Sequence, residues 1–231
     1  MKKRFSLLIA ALFLALTLFP AAALADSTPA ALSSVTGSTL TDGAVYTIST
    51  EAELAKLAEL VNGGEDCAGN SFLLTSKIIL EEDHNGSDAG LWTPIGSGTF
   101  STNPSVDTAG HPFNGTFYGQ NHYISDMDCQ TIYCSGLFGY IGSGGVVTDL
   151  RVSGNMSAAD CAGGIAAINE GQVINCENDV SYRNSTTTPC SIIGGVVGAN
   201  QGTVQNCRNY GPINGYKGAT DGDTHVGGVV G

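Results

Sequence analysis

The 231-residue chain is short of charge, of aromatic residues and of proline, and each shortage excludes something. Charged residues make up 13% of it and hydrophobic ones 42%, a balance that does not fit a disordered, solvated tail. Nine basic residues face 21 acidic ones, for a formal net charge of −12. With no basic stripe to release counterions from a phosphate backbone, nucleic acid is not an expected partner. Neither Cys-x-x-Cys nor His-x-x-x-His occurs, so no structural zinc site is expected. Gly-Lys-Ser/Thr is also missing, which leaves the glycine-rich stretches as strand starts rather than phosphate loops. Glycine is the residue in excess: 32 of them disfavour a helical bundle and predict β structure with many tight turns.

Residues 1–25 read as a signal peptide. Lys2, Lys3 and Arg4 form a basic start, Leu7 to Phe19 is almost wholly apolar, and Ala23-Leu24-Ala25 offers small residues for cleavage before Asp26. The apolar run is short for a membrane span and no second one follows, so the mature segment is expected to be secreted, without membrane insertion. Six basic residues against 21 acidic ones then remain, a net of −15, with no cysteine at the cleavage point to carry a lipid.

Residues 26–43, rich in Ser, Thr and Ala, read as a flexible leader, and residues 44–91 as an amino-terminal strand–helix–strand cap. Val45 to Ile48 suits a short strand. Thr50 and Glu53 have the spacing of a capping box ahead of an amphipathic helix over Glu51 to Val61, and Phe72 to Leu80 reads as a further strand.

From residue 92 to residue 231 the pattern is repetitive. Gly136-Leu137-Phe138-Gly139, Gly163-Gly164-Ile165-Ala166, Gly194-Gly195-Val196-Val197-Gly198 and Gly227-Gly228-Val229-Val230-Gly231 open successive units spaced 27, 31 and 33 residues apart. A unit of this size cannot bury its own apolar face and must stack on its neighbours. Each unit shows three apolar runs separated by turns, which predicts a triangular, right-handed parallel β-helix. Asn169-Glu170-Gly171 and Asn200-Gln201-Gly202 are the expected sites of positive φ. Leu150, Cys176 and Cys207 fall at one repeat position. The sequence stops five residues into a unit, so the repeats are expected to be incomplete at the carboxyl-terminal end, with self-association through the open last coil.

The Gly-Leu-Phe-Gly and Gly-Gly-Val-Val-Gly openings, together with Asn175-Cys176 and Asn206-Cys207, resemble the GLUG-motif repeat proteins of bacterial cell surfaces. Trp92 to Gly96 and Pro112 to His122 are similar to the lead-in that often precedes such repeats, with Tyr118 and Asp126 where the family usually has Asp and Gly. The resemblance implies an all-β solenoid acting as a non-catalytic, secreted or surface-displayed scaffold of adhesin-like type. Scaffold regions of secreted enzymes, such as immunoglobulin A-cleaving metallopeptidases, contain the same repeats. A carbohydrate-active β-helix is the other alternative.

No catalytic, cofactor-binding or metal-binding residue is assigned, and no cofactor is implied. Asp126 and Asp128 are two apart and suit an outward-facing carboxylate pair, more simply a charged edge. Glu81 to Asp88 offers several oxygens around a glycine turn, without the spacing of a calcium-binding loop. Trp92 is expected to pack, and His122 to pack or to make a turn hydrogen bond. An extracellular protein or glycan is the expected kind of partner, through loops such as Glu81 to Asp88 and Ser97 to Gly110. Seven cysteines in an exported chain invite disulfides: Cys129 and Cys134 are the better candidates, while Leu150 at the equivalent position argues for a buried, reduced Cys176–Cys207 stack.

Overall fold

The parallel register of the strands organises everything else in the computed structural model, which describes residues 28–80, 91–100, 106–131, 133–158, 161–182, 192–213 and 225–231. The chain enters through Ala30–Ala31 (β1), a 3-10 turn at Leu32–Ser34, Val45–Ile48 (β2), the helix Glu51–Asn62 (α1), Ser71–Leu74 (β3) and Ile78–Ile79 (β4). Ser97–Phe100 (β5) and Val106–His111 (β6) form an antiparallel hairpin. One coil then runs Thr116–Tyr118 (β7), Tyr123–Thr131 (β8), Cys134–Ser135 (β9) and Phe138–Ile141 (β10). The next is Val146–Thr148 (β11), Arg151–Ala158 (β12), Cys161–Gly163 (β13) and Ala166–Asn169 (β14). It is followed by Gln172–Ile174 (β15), Glu177–Tyr182 (β16), Ile192–Gly194 (β17) and Val197–Asn200 (β18), and then by Thr203–Gln205 (β19), Arg208–Asn209 (β20) and His225–Gly227 (β21).

These strands stack into four sheets, ordered β1-β2-β3-β7-β11-β15-β19, β4-β8-β12-β16-β20, β9-β13-β17-β21 and β10-β14-β18. All their pairings are parallel, so the fold is an all-β solenoid with one α-helix. The expected three faces per coil are four strands. A short strand precedes each Gly-Leu, Gly-Ile or Gly-Val opening, and the opening is a bend between it and the next strand. A Cβ on Gly164 would lie 1.8 Å from Asn178 Oδ1, and one on Gly195 2.4 Å from Asn209 Cγ, so these glycines make room for side chains of another sheet. The third apolar run, the weakest in sequence, holds the longest strand of each coil up to β16.

Inside, equivalent side chains meet. Tyr46, Phe72, Phe117, Val147, Val173 and Val204 form one column on the first sheet. Phe113 bridges the ring of Phe72, 5.8 Å away, and that of Phe138, 5.2 Å away. The lead-in segments belong to the coils: Ile95 pairs with Phe138 and Phe113 with Ile141. Leu54, Leu57, Ala58 and Val61, at helical spacing on α1, are buried in the same core, each large one worth about 1.5–3 kcal/mol. The expected strand from Phe72 to Leu80 is broken at a corner, where Thr75 and Ser76 hydroxyls donate to Ile48 O and Ser49 O.

The leader differs from expectation. Residues 30–34 are not a free tail: β1 pairs with β2, and Leu32 is fully buried against the core. Val35 and Leu40 of the same stretch pack against that core as well, and the Ser33 hydroxyl donates to Glu53 Oε1 at 2.7 Å. Glu53 Oε2 also accepts from Ser49 N (2.8 Å) and the Ser49 hydroxyl (2.9 Å), and Thr50 Oγ1 accepts from Glu53 N (3.3 Å). The reciprocal half of the capping box thus falls on Ser49. Burial alone would raise the Glu53 carboxyl, but the hydrogen bonds from Ser49 and Ser33 outweigh it and hold the pKa at about 2.

Positive φ occurs one corner later than expected, at Asp149 (56°), Asn175 (55°) and Asn206 (54°), between the first and second sheets. Their side chains form a ladder: Asn206 Nδ2 donates to Asn175 Oδ1 (3.3 Å), and Asn175 Nδ2 to Asp149 Oδ1 (3.0 Å). Asn169 and Asn200 form a second ladder, Asn169 Nδ2 donating to Asn200 Oδ1 at 2.7 Å, and Asn178 and Asn209 a third, at 2.8 Å. Gly171 and Gly202 are required there by close approach, since a Cβ would lie 2.2 Å from Gly145 O or 2.1 Å from Gly171 O.

Two outcomes follow. Glu53, with its pKa depressed from an unfolded value of about 4.3, contributes stability that is present above that value and lost as pH falls toward 2. Glu53→Gln should therefore lose about 1–3 kcal/mol in urea unfolding at pH 7, and the difference should vanish near pH 2. Asn175→Ala should lose about 2 kcal/mol, and Asn175→Gly should recover about half of it, because glycine restores the left-handed backbone but not the amide ladder.

Candidate functional site

On the outer face of the second sheet, Tyr123, Arg151, Glu177 and Arg208 occupy one register position on four successive strands. Outward alternation from β8, β12, β16 and β20 puts them in a row, with Asp179 and Tyr210 beside them. The guanidinium of Arg151 stands over the Tyr123 ring, 5.0 Å from its centroid, and 5.7 Å from that of Tyr210. Its Nη1 donates to Tyr123 Oη at 3.2 Å and lies 3.7 Å from Glu177 Oε2, and its Nη2 is 3.8 Å from Asp179 Oδ2. Arg208 Nη1 reaches Glu177 Oε1 at 3.4 Å.

These are exposed ion pairs, worth at most about 1 kcal/mol each to stability. Their effect is to fix orientation. Arg151 contacts both tyrosines and both carboxylates, so the row presents two aromatic planes and alternating donors and acceptors in set positions. Tyr123 and Tyr210 remain 42% and 54% exposed, among the most exposed large hydrophobic side chains of the described residues. Aromatic planes beside fixed polar groups suit the apolar faces and hydroxyls of a sugar, or a polar peptide.

The candidate residues read from sequence fall elsewhere. Asp126 is the extra residue of a β-bulge in β8, with φ of 61°, between Ile124 opposite Val152 and Met127 opposite Gly154. Its Oδ2 accepts from the Ser125 hydroxyl (3.0 Å), while Asp128 accepts from Gln130 Nε2 (3.2 Å). Each carboxylate is thus held by a near neighbour in the chain. Trp92 is a core residue, its Nε1 donating to Leu137 O at 3.1 Å. His122 N donates to Gly119 O, as befits a turn. Cys129 carries a free, buried thiol, so it is not bridged to Cys134, and Cys176 and Cys207 are free as well. The segment Glu81 to Asp88 lies outside the described residues, as does the middle of Ser97 to Gly110. Among the described residues no group of three or more His, Cys, Asp or Glu side chains is placed to hold a metal, and no helix is long and apolar enough to cross a membrane.

The tyrosine–arginine row was not found by sequence reasoning. Its signal was present: once the repeat is aligned, Tyr123, Arg151, Glu177 and Arg208 share a position.

No protein-family model matches the chain, and no curated protein matches it. Among solved structures, the crystal structure of a "putative immunoglobulin A1 protease" from Bacteroides ovatus is similar at 14% identity, covering 82% of this chain and 85% of that one, with a TM-score of 0.34. A likeness that slight assigns no activity.

Proposed function

We propose that the chain is a non-catalytic, secreted or surface-displayed repeat scaffold of the GLUG kind, adhesin-like, which contacts an extracellular glycan or protein through the outer face of its second sheet. The row of Tyr123, Arg151, Glu177, Arg208, Asp179 and Tyr210 carries this reading. Parallel stacking supplies a stiff sheet, so side chains from four coils keep fixed spacings without a folded pocket. The acidic balance of the chain favours a neutral or basic ligand over an acidic polysaccharide.

The test is direct binding. The chain from Asp26 onward would be applied to an oligosaccharide array and to immobilised extracellular-matrix proteins, beside Tyr123→Ala and Tyr210→Ala variants with unchanged circular dichroism. The reading expects a ligand whose binding falls about tenfold in each variant, equivalent to about 1.4 kcal/mol. Binding that both variants retain in full would contradict it, and so would hydrolysis of an arrayed glycan by the wild-type chain.

A further inference from the structure

Leu150, Cys176 and Cys207 occupy one inward column, at the corner between the first and second sheets. Register on both sides fixes the cysteine pairing: Ile174 lies opposite Gln205, and Glu177 opposite Arg208. Cys176 and Cys207 therefore face each other across adjacent coils, at a Cα separation of about 4.8 Å. That is inside the window of about 4.4–6.8 Å in which two cysteines can be bridged. Each follows an asparagine with nearly the same left-handed φ, 55° at Asn175 and 54° at Asn206, so the two side chains leave the backbone in parallel. The thiols point alike: Cys176 Sγ donates to Ile174 O at 3.3 Å, and Cys207 Sγ to Gln205 O at 3.3 Å.

We propose that Cys176 and Cys207 form an inter-coil disulfide site, closed by thiol–disulfide exchange with a small-molecule or protein disulfide. The two sulfurs are not equivalent. Cys176 is fully buried, whereas Cys207 is half-buried and open to a reagent. Their contact lowers the Cys207 pKa, while that same contact and burial raise the Cys176 pKa. The Cys207 thiolate attacks one sulfur of the external disulfide, forming a mixed disulfide and expelling a thiolate. Cys176 then loses its proton and attacks Cys207 Sγ, expelling the second thiolate. The two cysteines are oxidised by two electrons, and the external disulfide is reduced to two thiols. The product closes one turn of the solenoid into a covalent ring.

The test uses the chain from Asp26 onward, equilibrated with oxidised and reduced glutathione in varied ratio, alkylated, digested and mapped by mass spectrometry. A Cys176–Cys207 cross-linked peptide, lighter by two hydrogens, is expected, with a melting temperature raised by roughly 5–10 °C. In Cys176→Ser, Cys207 should be trapped as the glutathione mixed disulfide. In Cys207→Ser, Cys176 should remain a thiol. Recovery of both wild-type residues as thiols at the most oxidising ratio would overturn the proposal, as would Cys207 linked to a different cysteine. The wild-type map stands even if a serine variant fails to fold.

Discussion

Everything in this molecule depends on in-register parallel stacking. Each strand hydrogen-bonds to its equivalents in the neighbouring coils, so every side chain sits about 4.8 Å from its repeat counterparts. The unit of structure is then the column rather than the coil. Hydrophobic columns fill the interior: an aromatic one near the start, from Tyr46 through Phe72 to Phe117, passes into Val147 and Val173 as the coils progress. Turns are columns too, and the left-handed corner is held by Asp149, Asn175 and Asn206 in succession.

Polar columns follow a stricter rule than apolar ones, because a buried amide is costly unless its neighbour satisfies it. Asn169 and Asn178 are fully buried, and each donates to the asparagine one coil further on, although Asn169 Oδ1 itself is left without a partner among the described residues. Glycine supports this arrangement from another sheet. The Gly164 and Gly195 bends leave space into which the Asn178 and Asn209 side chains project. A substitution at either glycine therefore acts on an amide ladder that is distant in sequence.

The solenoid was legible because the repeat is self-similar: aligning four Gly-rich openings placed Leu150, Cys176 and Cys207 in one column before any strand was located. Helix α1 was legible from its cap and its spacing of Leu54, Leu57, Ala58 and Val61. The short strand ahead of each glycine opening was not, since Cys134 and Cys161 share their register position with Ile192 and His225, side chains of unrelated chemistry. Leu32 was missed for a similar reason, as a single buried residue has no periodicity. The Tyr123–Arg151–Tyr210 contacts join residues far apart in sequence, and nothing local in the chain announces them. Both the surface row and the thiol pair exist only because distant residues share a register.

Register is accordingly the claim to test most directly. Gln172 and Thr203 are exposed and directly paired on β15 and β19, whereas Gln205 is offset from Gln172 by two residues. With Cys207 replaced by Ser, the double variant Gln172→Cys/Thr203→Cys should cross-link under mild oxidation. Gln172→Cys/Gln205→Cys should not, because its Cα atoms would lie about 8 Å apart, beyond disulfide reach. Cross-linking of the offset pair in preference to the aligned one would show that the columns, and with them the surface row and the thiol pair, are wrongly placed.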